Sequence, residues 1–326
     1  MNEKQVVIGI DLGGTKIYTA VVDEQGKILA SSRKRTKAEQ GPSPVIDRIV
    51  EGVEESVAAA GLPAEQIKGV GVGSPGPLDL KTGTILQTPN LGWKNVPLRD
   101  LLQKKLQLPV TVDNDGNVGV LGEFAYGAGH GAQHMIGLFI GTGIGGGVIV
   151  DGKLLHGFNE NAGELGHMIL DPDGPRCGCG NKGCLEAFAS RLSIEREIKV
   201  AALHGVETFV LDDIKENERL RSKKLAEAYA AGDPAVKQAV NRSAEYVGYG
   251  TASLLNIFNP EVVVLGGGVV EAIGEDYVEQ VRKIALQNVF KVARRNVRIV
   301  AALLKDDSAV LGAARLAWDY YNKRKI

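Results

Sequence analysis

Apolar residues fall into short runs separated by glycine-rich turns in both halves of the chain. Residues 6–10, 17–22 and 27–32 read as three strands, joined by Asp11-Leu12-Gly13-Gly14-Thr15 and by Asp23-Glu24-Gln25-Gly26. Val45, Ile49, Val53 and Val57 recur at spacing four, which predicts a helix over 44–60, ended by Gly61-Leu62-Pro63. A strand at 70–73 leads into the loop Ser74-Pro75-Gly76-Pro77. A helix is expected over 96–106, then a strand at 109–112 running into Asp113-Asn114-Asp115. The second half predicts helices over 190–203 and 234–257, the latter with proline in its first turn. Charged residues dominate 212–224. A buried-type strand at 261–265 ends in Gly266-Gly267-Gly268, and a final helix over 308–321 carries Ala309, Gly312, Ala313 and Ala314, small enough for close packing.

The pattern repeats. Shifted by 128 residues, Gly9 falls on Gly137, Ile10 on Leu138, Gly13 on Gly141, Val22 on Val150 and Asp23 on Asp151. After a two-residue deletion Gly26-Lys27-Ile28-Leu29 matches Gly152-Lys153-Leu154-Leu155. Strand, glycine turn, strand, hairpin, strand therefore occurs twice. Two related lobes would leave a cleft between them, a preferred place for ligands.

Composition narrows the classes. A chain of 326 residues fits about two domains. Lys plus Arg is 38 and Asp plus Glu is 39, a net charge of -1. That balance disfavours a broad grip on nucleic acid or on an anionic membrane. The uncharged stretch 136–150 holds six glycines in 15 residues and is too short to span a bilayer. Residues 6–10 are too short for a signal-peptide core. The three cysteines all lie between 177 and 184, an odd local cluster that points to a reduced, cytoplasmic setting and a metal rather than a disulfide framework.

Asp11-Leu12-Gly13-Gly14-Thr15-Lys16 exposes backbone N–H groups that can hold phosphate oxygens, with Asp11 able to organise Mg²⁺ through water, or it is a simple hairpin turn. Gly141-Thr142-Gly143-Ile144-Gly145-Gly146-Gly147 contains a formal G-x-G-x-x-G, but a dinucleotide fold needs a helix after that motif and a strand follows here. No G-x-x-x-x-G-K-[ST] sequence is present, so P-loop chemistry is disfavoured. Two glycine turns facing across a cleft fit a triphosphate differently, and Gly266-Gly267-Gly268 offers a third contact or a plain strand-to-helix turn.

His167 with Cys177, Cys179 and Cys184 supplies the four ligands that tetrahedral Zn²⁺ takes. With no open position, such a zinc is structural. Ordering 167–184 at roughly 1–2 kcal/mol per residue costs more than the about 10–16 kcal/mol a structural zinc supplies; packing must contribute too. An imidazole with one nitrogen on zinc keeps a fixed N–H, and Glu164 and Glu186 would be acceptors beside it, a set suited to a polyhydroxyl ligand. Asp113-Asn114-Asp115-Gly116-Asn117 reads equally as a turn or as a strand-end carboxylate that takes a proton from a sugar hydroxyl.

Together, Asp11 to Lys16, Asp113 to Asn117, Gly163-Glu164-Leu165-Gly166-His167 and Cys177-x-Cys179-Gly180-x-x-Gly183-Cys184-x-Glu186 resemble the ROK family (repressors, open reading frames, sugar kinases) over essentially the whole chain. Thr88-Pro89-Asn90-Leu91-Gly92-Trp93 is similar to the family's bacterial ATP-dependent glucokinases. The resemblance implies an α/β, actin-like ATPase fold of two ribonuclease-H-like lobes flanking a cleft. The first lobe would be 1–118 completed by the helix 308–326, and the second 119–307 with the zinc loop 167–184.

It also implies ATP-dependent phosphorylation of a sugar 6-hydroxyl, glucose first, with mannose, fructose or N-acetylmannosamine as alternatives. Asp115 would be the general base. Asn114, Gly76, Glu164, His167 and Glu186 would hold the sugar. Asp11, Gly13, Gly14, Thr15 and Lys16 with Gly141, Thr142 and Gly143 would hold ATP phosphates and Mg²⁺, and Gly266, Gly267 and Gly268 would lie near the adenosine. His167, Cys177, Cys179 and Cys184 would bind zinc. Gly116, where many members have alanine, departs from the pattern without removing a functional group. The expected partners are hexose and ATP, with no nucleic acid or membrane, in a homodimer or homotetramer. Rival readings are a sugar-responsive repressor, whose DNA-binding segment would have to precede Val6, and a zinc-stabilised sugar-binding module without catalysis.

Overall fold

The computed structural model describes residues 5–88, 90–217 and 219–323. The first lobe runs β1 (Val6–Leu12), β2 (Lys16–Asp23), β3 (Ile28–Arg35), α1 (Pro42–Ala60), β4 (Ile67–Ser74), a small sheet of β5 (Leu78–Asp79), β6 (Thr84–Thr88) and β7 (Trp93–Val96), then α2 (Leu98–Leu106), β8 (Val110–Asn114) and α3 (Asp115–Tyr126). The second runs β9 (Met135–Ile140), β10 (Ile144–Val150), β11 (Lys153–Leu154), α4 (Leu185–Ala189), α5 (Arg191–Leu203), α6 (Leu211–Asn217), α7 (Ser222–Ala230), α8 (Pro234–Phe258), β12 (Val262–Gly266), α9 (Gly268–Ile273), α10 (Glu275–Asn288) and β13 (Arg298–Ala301). The last helix, α11 (Ser308–Lys323), returns to the first lobe.

The sequence echo is a topological repeat. One five-stranded sheet has the order β3-β2-β1-β4-β8, and the other β11-β10-β9-β12-β13. In each, an antiparallel meander is extended by two parallel strands. The parallel strands β4 and β12 are covered on both faces and read as near-continuous Val, Ile, Leu and Gly runs. Each lobe has its own apolar core, around Ile8, Ile10, Ile49 and Leu102 in the first and Leu138, Leu185, Val240 and Tyr277 in the second.

Between the sheets lie α3 and α11. They cross almost backbone to backbone: a Cβ on Gly312 would sit 1.6 Å from the Val118 carbonyl oxygen, and one on Gly122 would sit 2.1 Å from that of Ser308. The small residues expected of the final helix serve this crossing. The residue-118 boundary falls inside α3.

Two expectations need correction. The helix predicted from 96 begins at Leu98; Val96 ends β7, because Pro97 disfavours a helical conformation in the residue before it. Asp115 to Asn117, read as a turn or a strand end, is the first turn of α3. Asn114 makes the corner, its Oδ1 accepting from Gly116 N at 2.8 Å and Asn117 N at 3.4 Å. Such an N-cap contributes about 1 kcal/mol.

Candidate active site

The C-terminal ends of the strands in both sheets open onto one cleft of about 850 Å³. Asp115 projects into it as the first residue of α3, exposed to the cleft's solvent yet crowded by the protein that forms the cleft walls. That crowding removes water and raises its carboxyl above the ordinary range. The Gly116 N–H, donating to Oδ1 at 2.9 Å, opposes the shift. A carboxylate that is harder to ionise is also a better proton acceptor.

Around it lie Asn114, Gly76, Glu164, His167 and Glu186. The Asn114 amide nitrogen turns toward Gly76, where an added Cβ would come within 3.2 Å. Burial raises Glu164, with the Asp115 and Glu186 charges adding to it and His167 opposing. Glu186 is the first-turn acid of α4, and its Oε2 accepts from Ile144 N at 2.9 Å, holding the second glycine turn. A Cβ at Gly143 would lie 2.3 Å from that oxygen, so the turn tolerates no larger residue unless Glu186 moves.

Asp11, Lys16, Thr142, Gly143, Gly267 and Gly268 also line the cleft. Burial, then the Asp115 charge, pushes the Asp11 carboxyl up to about 6, with Lys16 opposing and Asp306 adding to the rise. A recessed carboxylate facing a second acid suits a hard divalent cation. Gly267 has φ +86°, and its Cβ would meet the Ile140 carbonyl oxygen at 2.7 Å. Gly13, Gly14 and Thr15 form the β1–β2 turn, closed by Gly13 N donating to Lys16 O at 2.9 Å, and do not line the cleft. Gly141 donates to Gly143 O at 2.9 Å within the second turn, and Gly266 is buried against Phe139; neither lines the cleft.

The sequence reading passed over Arg191. Its Nη2 donates to Thr142 Oγ1 at 2.7 Å and its Nη1 to Ser222 Oγ at 3.4 Å, tying the second glycine turn to α7. Glu271, Lys305 and Asp306 also line the cleft and were not singled out. The only available signal was position: 305–307 follow the fifth strand of the second sheet as Asp115 follows that of the first.

The ligand atoms of His167, Cys177, Cys179 and Cys184 all lie within 4.8 Å of one another. Cys177 Sγ is 3.6 Å from His167 Nδ1, and Cys179 Sγ is 3.7 Å from Cys184 Sγ. Zn–S bonds of about 2.3 Å place tetrahedral thiolates about 3.8 Å apart, so the four atoms fit one metal ion. Burial pushes the Cys177 thiol up to about 12, while the Asn181 backbone N–H lowers Cys179. A buried thiolate of this kind requires a cation. With Nδ1 on the cluster, Nε2 is the nitrogen His167 has left for the cleft that it lines.

The ROK family pattern matches residues 7–320. The chain belongs to the ROK family. Its fold is accordingly the actin-like ATPase fold with two ribonuclease-H-like lobes. The glucokinase of Thermotoga maritima is 37% identical over 96% of this chain and 97% of its own length. The xylose repressor of Caldicellulosiruptor bescii is 35% identical over 94% of this chain and 76% of its own. A ROK family glucokinase from Streptomyces griseus, solved with glucose and AMPPNP, superposes with a TM-score of 0.83 at 34% identity, covering 96% of this chain and 99% of that one. In the glucokinase-like stretch 88–93, Asn90 lines the ROK cleft and Pro89 lies outside the described residues. No helix among the described residues is long and apolar enough to cross a membrane.

Proposed function

We propose that the chain is an ATP-dependent hexose kinase that phosphorylates the 6-hydroxyl of glucose, with Asp115 as general base. The observation that carries this reading is the Asp115 carboxylate, set at the start of α3 in the cleft and made more basic by crowding. The sugar 6-hydroxyl gives its proton to Asp115 while its oxygen attacks the γ-phosphorus. The bond from that phosphorus to the ADP oxygen breaks, leaving glucose 6-phosphate, ADP and a protonated Asp115, which returns its proton to solvent.

Asn114, Gly76, Glu164, His167 and Glu186 hold the ring hydroxyls in this account. Lys16 with Thr142 and Gly143 receive the phosphates, Gly13, Gly14, Thr15 and Gly141 shape the two turns that present them, and Gly267 and Gly268, following Gly266, receive the adenosine. Mg²⁺, held by Asp11 through water, would neutralise charge on the phosphates. A structural zinc on His167, Cys177, Cys179 and Cys184 would fix the His167 ring against the sugar. The lobes 1–118 with 308–326, and 119–307, close on the sugar and exclude water. Likeness to proteins named glucokinase favours glucose and ATP.

The likeness to a xylose repressor favours a second reading, a sugar-responsive regulator without turnover. Incubation with ATP, Mg²⁺ and a panel of hexoses, followed by ³¹P NMR, tests both. The kinase reading expects glucose 6-phosphate and the highest kcat/KM for glucose. Sugar binding without any phosphorylated product would overturn it in favour of the regulator.

A further inference from the structure

Two residues before Asp115, Asp113 points the other way. It is 2% exposed, and its carboxylate touches three groups. Oδ1 accepts from Asn114 N at 2.7 Å and from Asn117 Nδ2 at 2.8 Å. Oδ2 meets His156 Nε2 at 2.7 Å. Asn114 and Asn117 flank Asp115 within the first turn of α3, so the Asp113 carboxylate braces that turn from behind.

His156 comes from the other lobe. It sits just after β11, in a loop closed by Ala162 N donating to His156 O at 2.9 Å. The same loop reaches the first lobe again at Glu160, whose Oε2 accepts from Leu80 N at 2.9 Å and Lys81 N at 3.2 Å. It then continues through Gly163 to Glu164, which lines the cleft. A buried carboxylate without a cationic partner is costly; His156 supplies the partner only when this loop is docked.

We propose that His156 and Asp113 form an interlobe positioning pair that fixes the first turn of α3, and with it the direction of the Asp115 carboxylate. The proposal rests on the kinase reading and deepens it. Neither residue touches the substrate in this account. Both act through Asn114 and Asn117.

The pair reaches solvent on the side away from the cleft. Asp113 and His156 line a separate cavity of about 450 Å³ with Arg99, Asp100, Leu316 and Tyr320. Titration of His156 is therefore open to solvent whether or not sugar fills the cleft. The charged and titratable groups facing it are Asp113 from β8, Glu160 from its own loop, Arg99 and Asp100 from α2, and Tyr320 and Lys323 from α11. The Asp113 hydrogen bond raises the imidazolium above its ordinary value, with burial opposing, the Asp113 and Glu160 charges adding to it and Lys323 opposing. The charged pair is thus complete below the raised value and weakens as pH rises through it. A neutral imidazole can still donate one N–H, so the loss is partial.

The test is the pH dependence of kcat and of KM for glucose in the wild type, His156→Gln and His156→Ala. In the wild type, kcat should step down on the alkaline side by roughly 3-fold, the scale of replacing a charge-assisted hydrogen bond by a neutral one. His156→Gln keeps an N–H donor without a titrating charge; its kcat should lie on the lower plateau with no alkaline step. His156→Ala should lose about 10-fold or more in kcat through misplacement of the base, with KM for glucose nearly unchanged. An alkaline step that survives in His156→Gln, or variants with wild-type kcat and profile, would overturn the proposal alone. A wild type that turns over no hexose overturns the kinase reading, and this inference with it. If His156→Ala does not fold, His156→Gln decides by itself.

Discussion

At the corner between β8 and α3 stands Asp115; at the matching corner between β13 and α11 stands Asp306. Both follow the fifth strand of their sheet, Asp115 opens α3 and Asp306 lies just before α11, and both line the cleft. Their surroundings differ. Asp306 is open to solvent and paired with Lys16 at 3.2 Å and Arg33 at 4.0 Å, and its neighbour Asp307 accepts from the Tyr18 hydroxyl at 2.9 Å. Asp115 takes part in no ion pair among the described residues and accepts only from backbone N–H groups, that of Gly116 and its own. A repeated scaffold has thus produced one carboxylate neutralised by surface pairing and one left crowded and basic. Pairing makes the second corner a link between strands and helix; crowding leaves the first with the basicity that the proposed mechanism asks of its proton acceptor.

The largest effect should separate the two acids. Asp115→Asn should lower kcat by about 10²–10⁴-fold, the usual contribution of a general base. Asp306→Asn should lose less than about 10-fold, because exposed pairs are worth about 1 kcal/mol or less. Equal losses in the two variants would erase the distinction.

The first of these two corners, and much of the fold around it, is legible in the chain; the second is not. The strand meanders show as apolar runs broken by glycine, and the shift of 128 residues exposed the repeat before any fold was known. Asp11 to Lys16, Asp113 to Asn117 and the His/Cys cluster carry their chemistry in contiguous stretches. What stayed hidden depended on packing. The helix α3 contains Gly116, Gly119 and Gly122, each about 1 kcal/mol unfavourable to a helix relative to alanine; Gly122 answers the close approach of α11, while a Cβ on Gly116 would meet the Gly146 carbonyl oxygen at 2.7 Å and one on Gly119 the Phe139 ring at 3.0 Å, contacts that no local pattern reveals. β5 to β7 are two to five residues long and too polar to alternate clearly. Arg191 and His156 are single residues in ordinary surroundings, given meaning by partners 49 and 43 positions away.

The next effects sharpen the comparison through what frames the first corner. Removing zinc with a chelator, or Cys179→Ser, should release the His167 ring, weaken glucose binding and lower Tm by more than about 5 °C. Calorimetry in both metal states measures this, and unchanged affinity would take His167 out of the sugar site. Gly267→Ala, at φ +86° with its Cβ blocked by Ile140 O, should cost about 1–3 kcal/mol in denaturant unfolding. The pH profile should show the base directly. Because burial raises Asp115, log kcat/KM should bend down at a pH above the ordinary aspartate value, then fall by about one unit per pH unit as the carboxylate protonates. A bend at the ordinary value would mean that the cleft does not tune this group. The smallest effect belongs to the second corner: Arg33→Ala, removing exposed contacts to Asp306 and Asp307, should change stability by less than about 1 kcal/mol.

The central claim is tested most directly by titrating glucose into Asp115→Asn while assaying the same sample, supplied with ATP and Mg²⁺, for glucose 6-phosphate. The account predicts that glucose binds with close to wild-type affinity and that phosphorylation is almost abolished. Turnover near the wild-type rate in that variant would contradict it.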